Sequence, residues 1–372
     1  MTTARLTVEI EKKLAAFSLR LQLEVHAEIL VLFGPSGAGK TMTLNAIAGL
    51  MTPDSGEIVL DGKPFFRKHR PGLAVNVPAR KRRVGYVFQH YALFPHRTAL
   101  ENVAYALWRQ RNGQKRAMEL LERMRLAHLA DRYPSELSGG QQQRIAIARA
   151  LATEPQVLLL DEPFSALDAA VRERLQRGLR SLQREFGLVV LYVTHRLEDA
   201  FATGHRLAVI HEGQVEQIGP IEEVFHRPAN YQAAEIMGVR NLFHARVVDS
   251  TPEGLILDWD GLPLEAPPQP ARVGEIVTAY IRPEEVKVIY PDRPLMNAVR
   301  HNQVSGKILD SHLNPDFRTL RVFILNGHEL EVRFPVYAYT PLRLMPGEEV
   351  MLSLRKEGVV ILHRETNEAA GQ

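Results

Sequence analysis

The chain has no cysteine among its 372 residues. That excludes disulfides, thiol nucleophiles and cysteine-held metal centres at once. Long apolar runs are missing too: no stretch approaches the ~18 uninterrupted apolar residues of a membrane-spanning helix. The start, MTTARLTVEIEKK, lacks the apolar core of a secretory leader. A cytosolic protein is therefore expected, free to dock on a membrane protein. There is little net charge of either sign, because 46 Lys and Arg against 43 Asp and Glu leave +3. A pI near 9.0 is too mild to demand nucleic acid and is compatible with a membrane-side neighbour. The basic run Arg80-Lys81-Arg82-Arg83 reads as a solvated face.

What is present is an ordinary globular composition, 45% hydrophobic and 24% charged, long enough for two domains or three. RLTVEI and FSLRLQLEV alternate apolar and polar, and ILVLF runs apolar. These predict strands, the last one buried. Leu44, Ile47, Ala48 and Met51 have helical spacing, DSGEIVLDG reads as a short strand between turns, and residues 100–150 are helix-rich. QVLLLD and GLVVLYVTH are continuous apolar runs, as central parallel strands require. RLAVIHEGQVEQIG reads as a hairpin turning at Glu212-Gly213. An α/β domain to about residue 237 follows. Beyond it strand-like runs, prolines and glycines dominate, with an imperfect repeat. ARVVDS followed by VGEIVTAYIRPEEVKVI matches GKILDS followed by PGEEVMLSLRKEGVVIL, which aligns Gly274 with Gly347 and Arg282 with Arg355.

GPSGAGKT at 34–41 fits the G-x-x-x-x-G-K-[ST] phosphate loop and lies between a predicted strand and a predicted helix. Its backbone N–H groups and helix N-terminus suit phosphate oxygens. Lys40 is expected on the β- and γ-phosphates and Thr41 on Mg2+. Asp161 closes the buried strand QVLLLD on the phosphate side and suits a direct or outer Mg2+ contact. Glu162 is a candidate general base for an attacking water; a capping carboxylate before Pro163 is the alternative. His195 ends the neighbouring strand on the same side. A second glycine turn, LSGGQQQR at 137–144, opens another helix. It offers a hydroxyl, N–H groups and a helix dipole to an anion, yet has no lysine or magnesium ligand, so it is a poor nucleotide site by itself.

GPSGAGKT, YVFQ, LSGGQQQR, LLLDEPFSALD and YVTH, in that order, resemble the ATP-binding subunits of ABC transporters over roughly residues 1–237. The resemblance implies an ATPase that uses ATP and Mg2+, built as an α/β P-loop core with a helical subdomain at about 90–155. It implies that Gly34, Pro35, Ser36, Gly37, Ala38, Gly39, Lys40, Thr41 and Met42 line ATP. Thr41, Gln89 and Asp161 would surround Mg2+, and Glu162, His195 and Gln89 would serve hydrolysis. It further implies a head-to-tail homodimer, in which Ser138, Gly139, Gly140 and Gln141 meet the γ-phosphate bound by the other copy. Asp168 would signal between the copies. Gln89 would report to two transmembrane permease subunits docked at HYALFPH (90–96), with local core as the alternative for Phe94. An extracytoplasmic substrate-binding protein would be an indirect partner, nucleic acid would be none, and the protein would sit on the cytoplasmic face of the cell membrane. Two departures stand out. Met42 replaces a hydroxyl residue that touches the α-phosphate. Lys12 and Lys13 stand where an aromatic residue often stacks on adenine, and Phe17 fits core better.

VPARKRRVGYVFQHYALFPH, HEGQVEQIGPIEEVF and the final β segment are similar to the ATP-binding subunits of molybdate importers. Molybdate or tungstate is the expected cargo, with sulfate, iron, polyamine or sugar as the alternative, because VRNLF and YIRPEEV occur in those subunits too. The same resemblance implies an all-β regulatory domain at 238–372 made of two OB-like or barrel modules, about 238–292 and 296–364. Lys356 is the one cation that matches an oxyanion site, and Tyr339-Thr340 stand where a serine is common. A purely dimer-stabilising role is the alternative. Non-transport ATPases acting on ribosomes or DNA are the competing class. One phosphate loop, one LSGG turn and no long heptad run speak against them.

Overall fold

The computed structural model describes residues 4–14, 17–70, 73–165, 167–290, 299–340 and 342–362. Residues 291, 292, 296–298, 363 and 364, at the ends of the two expected β modules, lie outside the described residues. The chain divides into two compact units, Met1–His226 and Arg227–Gln372.

The first unit begins with β1 (Leu6–Lys13), β2 (Ser18–Val25) and β3 (Ile29–Phe33), followed by α1 (Lys40–Ala48). Then come β4 (Ser55–Leu60), β5 (Lys63–Arg70), β6 (Leu73–Asn76) and β7 (Val84–Val87). Helices α2 (Ala99–Ala104), α3 (Gly113–Arg123) and α4 (Gly139–Leu151) intervene before β8 (Val157–Asp161). The unit closes with α5 (Ala169–Phe186), β9 (Val189–Thr194), α6 (Leu197–Thr203), β10 (Arg206–His211), β11 (Gln214–Pro220) and α7 (Ile221–His226).

Burial alternates along β2, and that strand joins an antiparallel sheet in the order β2-β1-β4-β5-β6. In contrast, every residue of β3, β8 and β9 is buried, the signature of a sheet covered on both faces. These strands form the centre of a second sheet, β11-β10-β3-β9-β8-β7. It is parallel from β10 to β7, with β11 antiparallel at the edge. The carboxyl ends of β3, β8 and β9 therefore emerge side by side, at Gly34, Glu162 and His195, where open parallel sheets bind their ligands.

The segment between β7 and α2 is tied down by Asn102, which is fully buried. Its amide oxygen accepts from Phe94 N at 2.8 Å, and its amide nitrogen donates to the carbonyls of Phe94, Arg97 and Thr98. Thr98 and Glu101 start α2 with a reciprocal capping box. The Phe94 ring packs at a tilt against Tyr105, with centroids 4.5 Å apart, and is half-buried.

One expectation is corrected here. The run 80–83 is not wholly a solvated face, because Arg82 is completely buried. Its guanidinium donates to Ala46 O at 2.7 Å and Ile47 O at 2.9 Å, carbonyls at the C-terminal end of α1, and to Val77 O and Asn76 Oδ1. A cation is favoured at that negative helix end. Burial still pushes its pKa down to about 10.

The second unit starts with α8 (Tyr231–Ile236) and continues as strands β12 (Asn241–Thr251), β13 (Gly254–Trp259), β14 (Leu262–Ala266), β15 (Ile276–Ile281) and β16 (Val286–Val288). Strands β17 (Gln303–Leu313), β18 (Phe317–Ile324), β19 (Glu329–Pro335), β20 (Glu349–Leu354) and β21 (Val359–Leu362) complete it. The repeat is visible bond for bond. Gly274 N donates to Val247 O and Gly347 N to Ile308 O, both at 2.8 Å. Val247 N donates to Glu275 O and Ile308 N to Glu348 O, both at 2.9 Å. A bulge follows in each copy, at Val247/Asp249 and at Ile308/Asp310. The copies exchange their last strands: β21 pairs with β15, and β16 pairs with β20. The two sheets, β14-β13-β12-β15-β21 and β16-β20-β17-β18-β19, consequently share one hydrophobic core.

Candidate functional site

The loop from Gly34 to Thr41 leaves β3 and turns into α1. Gly34 is required by close approach, since a Cβ there would lie 2.0 Å from Ile210 O on β10. Lys40, the first residue of α1, is 7% exposed. Its ammonium donates to Gly34 O at 2.8 Å and Pro35 O at 2.7 Å. Two of its three donors are thus spent on bracing the loop, which leaves one for an anion. Burial lowers its pKa, and the carboxylates of Glu162 and Asp161 oppose that shift. A buried cation aimed into a loop of backbone N–H groups fits a nucleotide's phosphates.

Thr41 Oγ1 donates to Asp161 Oδ1 at 3.1 Å across 120 residues of sequence. Hydroxyl and carboxylate are both hard oxygen donors, the ligand type Mg2+ takes. Burial raises the pKa of Asp161, while the bond from Thr41 pulls it back and the neighbouring Glu162 carboxylate adds to the rise. A divalent cation would relieve that cost. Tyr86 on β7 adds a group that sequence reasoning missed. Its hydroxyl lies 3.2 Å from Asn45 Oδ1 and, at the outer limit of a hydrogen bond, 3.5 Å from Asp161 Oδ2. Its pKa is pushed far up by burial and by Asp161. Nothing in the alternation of a strand signals which residue of α1 or β8 it meets.

Glu162 follows β8 directly and has φ 44°, in the left-handed region. Such a conformation costs a non-glycine residue about 1–3 kcal/mol and is commonest at functional sites. The turn is fixed by Glu162 N donating to Val193 O and by the Ser165 side chain donating to Glu162 O. It aims the carboxylate at two sequence-selected partners. Glu162 Oε2 lies 3.3 Å from His195 Nδ1 and 3.4 Å from Gln89 Nε2. Lys40, Thr41, Asp161, Glu162, Gln89 and His195 therefore converge on one place.

The LSGG turn is built differently. Ser138 caps α4, and Gln141 Oε1 accepts from Ser138 N at 2.8 Å, so the Gln141 side chain is committed to its own helix start. Ser138 and Gly139 are exposed, whereas Gly140 is buried. A Cβ at Gly140 would lie 2.6 Å from Val171 Cγ1, so only glycine lets α4 lie this close to α5. Asp168 caps α5, accepting from Val171 N at 2.9 Å. Among the described residues, no hydrogen bond or ion pair joins Ser138, Gly139 or Gly140 to Lys40, Glu162 or His195 of the same chain.

Met42 packs part-buried against the core of this unit. Phe17 does the same, and its ring lies beside Gly39 and Gly213. Lys12 is ion-paired with Asp54 at 2.8 Å. In the second unit Lys356 is paired with Glu265 at 3.6 Å, and the Tyr339 ring packs edge-on against Phe334 at 4.7 Å.

Comparison with known proteins follows the same lines. The ABC transporter family model matches residues 18–165. The spermidine/putrescine import ATP-binding protein PotA of Nitrosospira multiformis is 38% identical, over 92% of this chain and 93% of its own length. PotA of Lawsonia intracellularis is 40% identical, over 92% and 94%. The sulfate/thiosulfate import ATP-binding protein CysA of Nitrosomonas europaea is 43% identical, over 76% of this chain and 78% of its own. A solved ATP-binding cassette, captured as a dimer in a post-hydrolysis state with ADP and Pi, is 34% identical and superposes with a TM-score of 0.50, covering 58% of this chain and 98% of that one. Molybdate is in none of these names.

Proposed function

The chain belongs to the ATP-binding subunits of ABC importers, which hydrolyse ATP, and from that premise we propose that it energises the uptake of a polyamine. The observation that carries this reading is the reach of two polyamine-import relatives, which match 92% of the chain and so extend through the β-rich unit; three other relatives of that name match 72–78%. The sulfate-import relative from Nitrosomonas matches 76%. The molybdate expectation gains nothing from the relatives' names, and Lys356, its one candidate cation, is neutralised by Glu265. Sulfate is the second reading, carried by the relatives with that name.

In the mechanism we infer, the loop N–H groups and the free donor of Lys40 hold the phosphates. Thr41 and Asp161 would hold Mg2+, which would neutralise charge on the β- and γ-phosphate oxygens. Glu162 accepts a proton from water as the water oxygen bonds to the γ-phosphorus, and the bond to the bridging oxygen breaks to give ADP and phosphate. His195 and Gln89 hold the Glu162 carboxylate in place from either side. Two copies act head to tail. Ser138 and Gly139 are exposed and, among the described residues, bonded to no member of their own phosphate site, and they would complete the site of the other copy. Closure on ATP moves the docked permease pair, and hydrolysis reopens the dimer. The β-rich unit regulates or stabilises this pair.

Uptake measured in a strain lacking this chain tests the cargo. Loss of labelled spermidine or putrescine uptake, restored by the chain, supports the reading. Normal polyamine uptake with lost sulfate or molybdate uptake refutes it.

A further inference from the structure

Tyr91, two residues past Gln89, has an environment that the functions above do not use. The residue is 8% exposed, and among the described residues its hydroxyl has no hydrogen-bond partner. Burying an unpaired hydroxyl costs more than a made hydrogen bond returns, and native proteins seldom keep one without a use for it. The position of this hydroxyl points to that use. It lies 4.0 Å from where a Cβ of Gly139 would stand, at the turn whose serine and glycine face outward.

The backbone of Tyr91 is held with equal care. Tyr91 and Ala92 are consecutive non-glycine residues at φ 61° and 46°, a strained pairing that the surroundings must enforce. Arg149 enforces it, donating to Tyr91 O at 2.8 Å and to Ala92 O at 2.7 Å. Arg149 lies near the far end of α4, the helix that Gly139 opens. One helix thus holds the segment after Gln89 at its carbonyls through Arg149 and places the start of its own first turn beside the Tyr91 hydroxyl.

We propose that Tyr91 is a positioning residue that ties the permease-facing segment after Gln89 to the Ser138-Gly139 turn, and that its hydroxyl gains a hydrogen-bond partner when two copies close on ATP. A displacement of this segment then reaches two nucleotides. It reaches the chain's own through Gln89 and the other copy's through Tyr91 and Gly139. The inference rests on the head-to-tail reading above.

The test uses the full-length chain in the Glu162→Gln background, with dimer dissociation measured in MgATP by sedimentation, with and without Tyr91→Phe. Tyr91→Phe deletes only the hydroxyl. The expected result is a dimer weakened about fivefold to a hundredfold, the worth of two hydrogen bonds, one from each copy. The nucleotide-free melting temperature should be unchanged or raised, and MgATP affinity of the monomer unchanged. A dimer indifferent to Tyr91→Phe refutes the coupling alone. So does a dimer loss that comes with a lowered nucleotide-free melting temperature, which would make the hydroxyl merely structural. If Glu162→Gln itself stays monomeric in MgATP, the head-to-tail reading fails and takes the coupling with it.

Discussion

Replacing Glu162 by Gln separates the two roles open to this carboxylate, general base and structural cap. The side chain keeps its size, and the contacts at 3.3 Å to His195 Nδ1 and 3.4 Å to Gln89 Nε2 can be kept in part by the amide oxygen. The strained backbone at φ 44° is the same for both residues, and the bonds that fix the turn use backbone atoms of Glu162. Stability should therefore change by no more than about 0.5 kcal/mol, about 1–2 °C in melting temperature for a unit this size. A general base contributes about 10²- to 10⁴-fold, equivalent to about 2.7–5.5 kcal/mol of barrier. Removing one negative charge from the phosphate site leaves MgATP affinity equal or tighter. Phosphate release from the full-length chain at saturating MgATP, with a thermal melt of the same sample, reads both quantities. A rate within about tenfold of wild type would reject Glu162 as the base. A melting temperature lowered by about 5 °C or more with a modest rate change would show that the carboxylate is a cap.

Ser138→Arg should cut ATP turnover at least about tenfold, by the worth of a lost transition-state donor, while fluorescent-nucleotide binding to the monomer is unchanged; equal turnover would remove the LSGG turn from catalysis. Gly34→Ala puts a Cβ 2.0 Å from Ile210 O, so we expect a loss of about 3 kcal/mol from overpacking, about 6–12 °C by calorimetry, and weak ATP binding even in the folded fraction. His205 accepts from Ile29 N at 3.0 Å through Nδ1, which requires the neutral ring. Partial burial lowers its pKa, nearby Arg180 and Arg184 reinforce this, and Glu28 opposes it. Its folded pKa thus lies below its unfolded one, the unfolded chain holds more protons between the two, and stability is lost as pH falls below about 6.5. His205→Asn, which keeps an acceptor, should flatten melting temperature against pH in that window; an unchanged slope would clear His205 of the effect.

The candidate phosphate site was largely legible because its signals are local. Gly34 and Lys40 belong to one short motif, and β8 and β9 are apolar runs whose ends carry Asp161, Glu162 and His195. Once two such strands are parallel neighbours, their final residues share an edge, so strand-end chemistry can be read without coordinates. The basic run misled for the converse reason. Composition treats Arg82 like Arg80 and Lys81, but the carbonyls of Ala46 and Ile47 at the negative end of α1, some 35 residues upstream, draw in that one side chain. The cargo was less legible: VRNLF and YIRPEEV single out no one solute, and relatives named for polyamine and sulfate import lend the molybdate expectation no support.

From the sequence alone come the central apolar strands, the hairpin at Glu212-Gly213, the candidate phosphate loop, the candidate strand-end carboxylates and the repeated β pattern. Each of these follows from periodicity, glycine geometry or short spacing. Packing settled which groups meet across long separations: Tyr86 with Asp161, Arg149 with the Tyr91 and Ala92 carbonyls, and β16 and β21 in each other's sheets. Such meetings depend on how buried faces pack and on which buried polar groups still need partners, and residues that pack together carry no mark of each other in their own neighbourhoods along the chain.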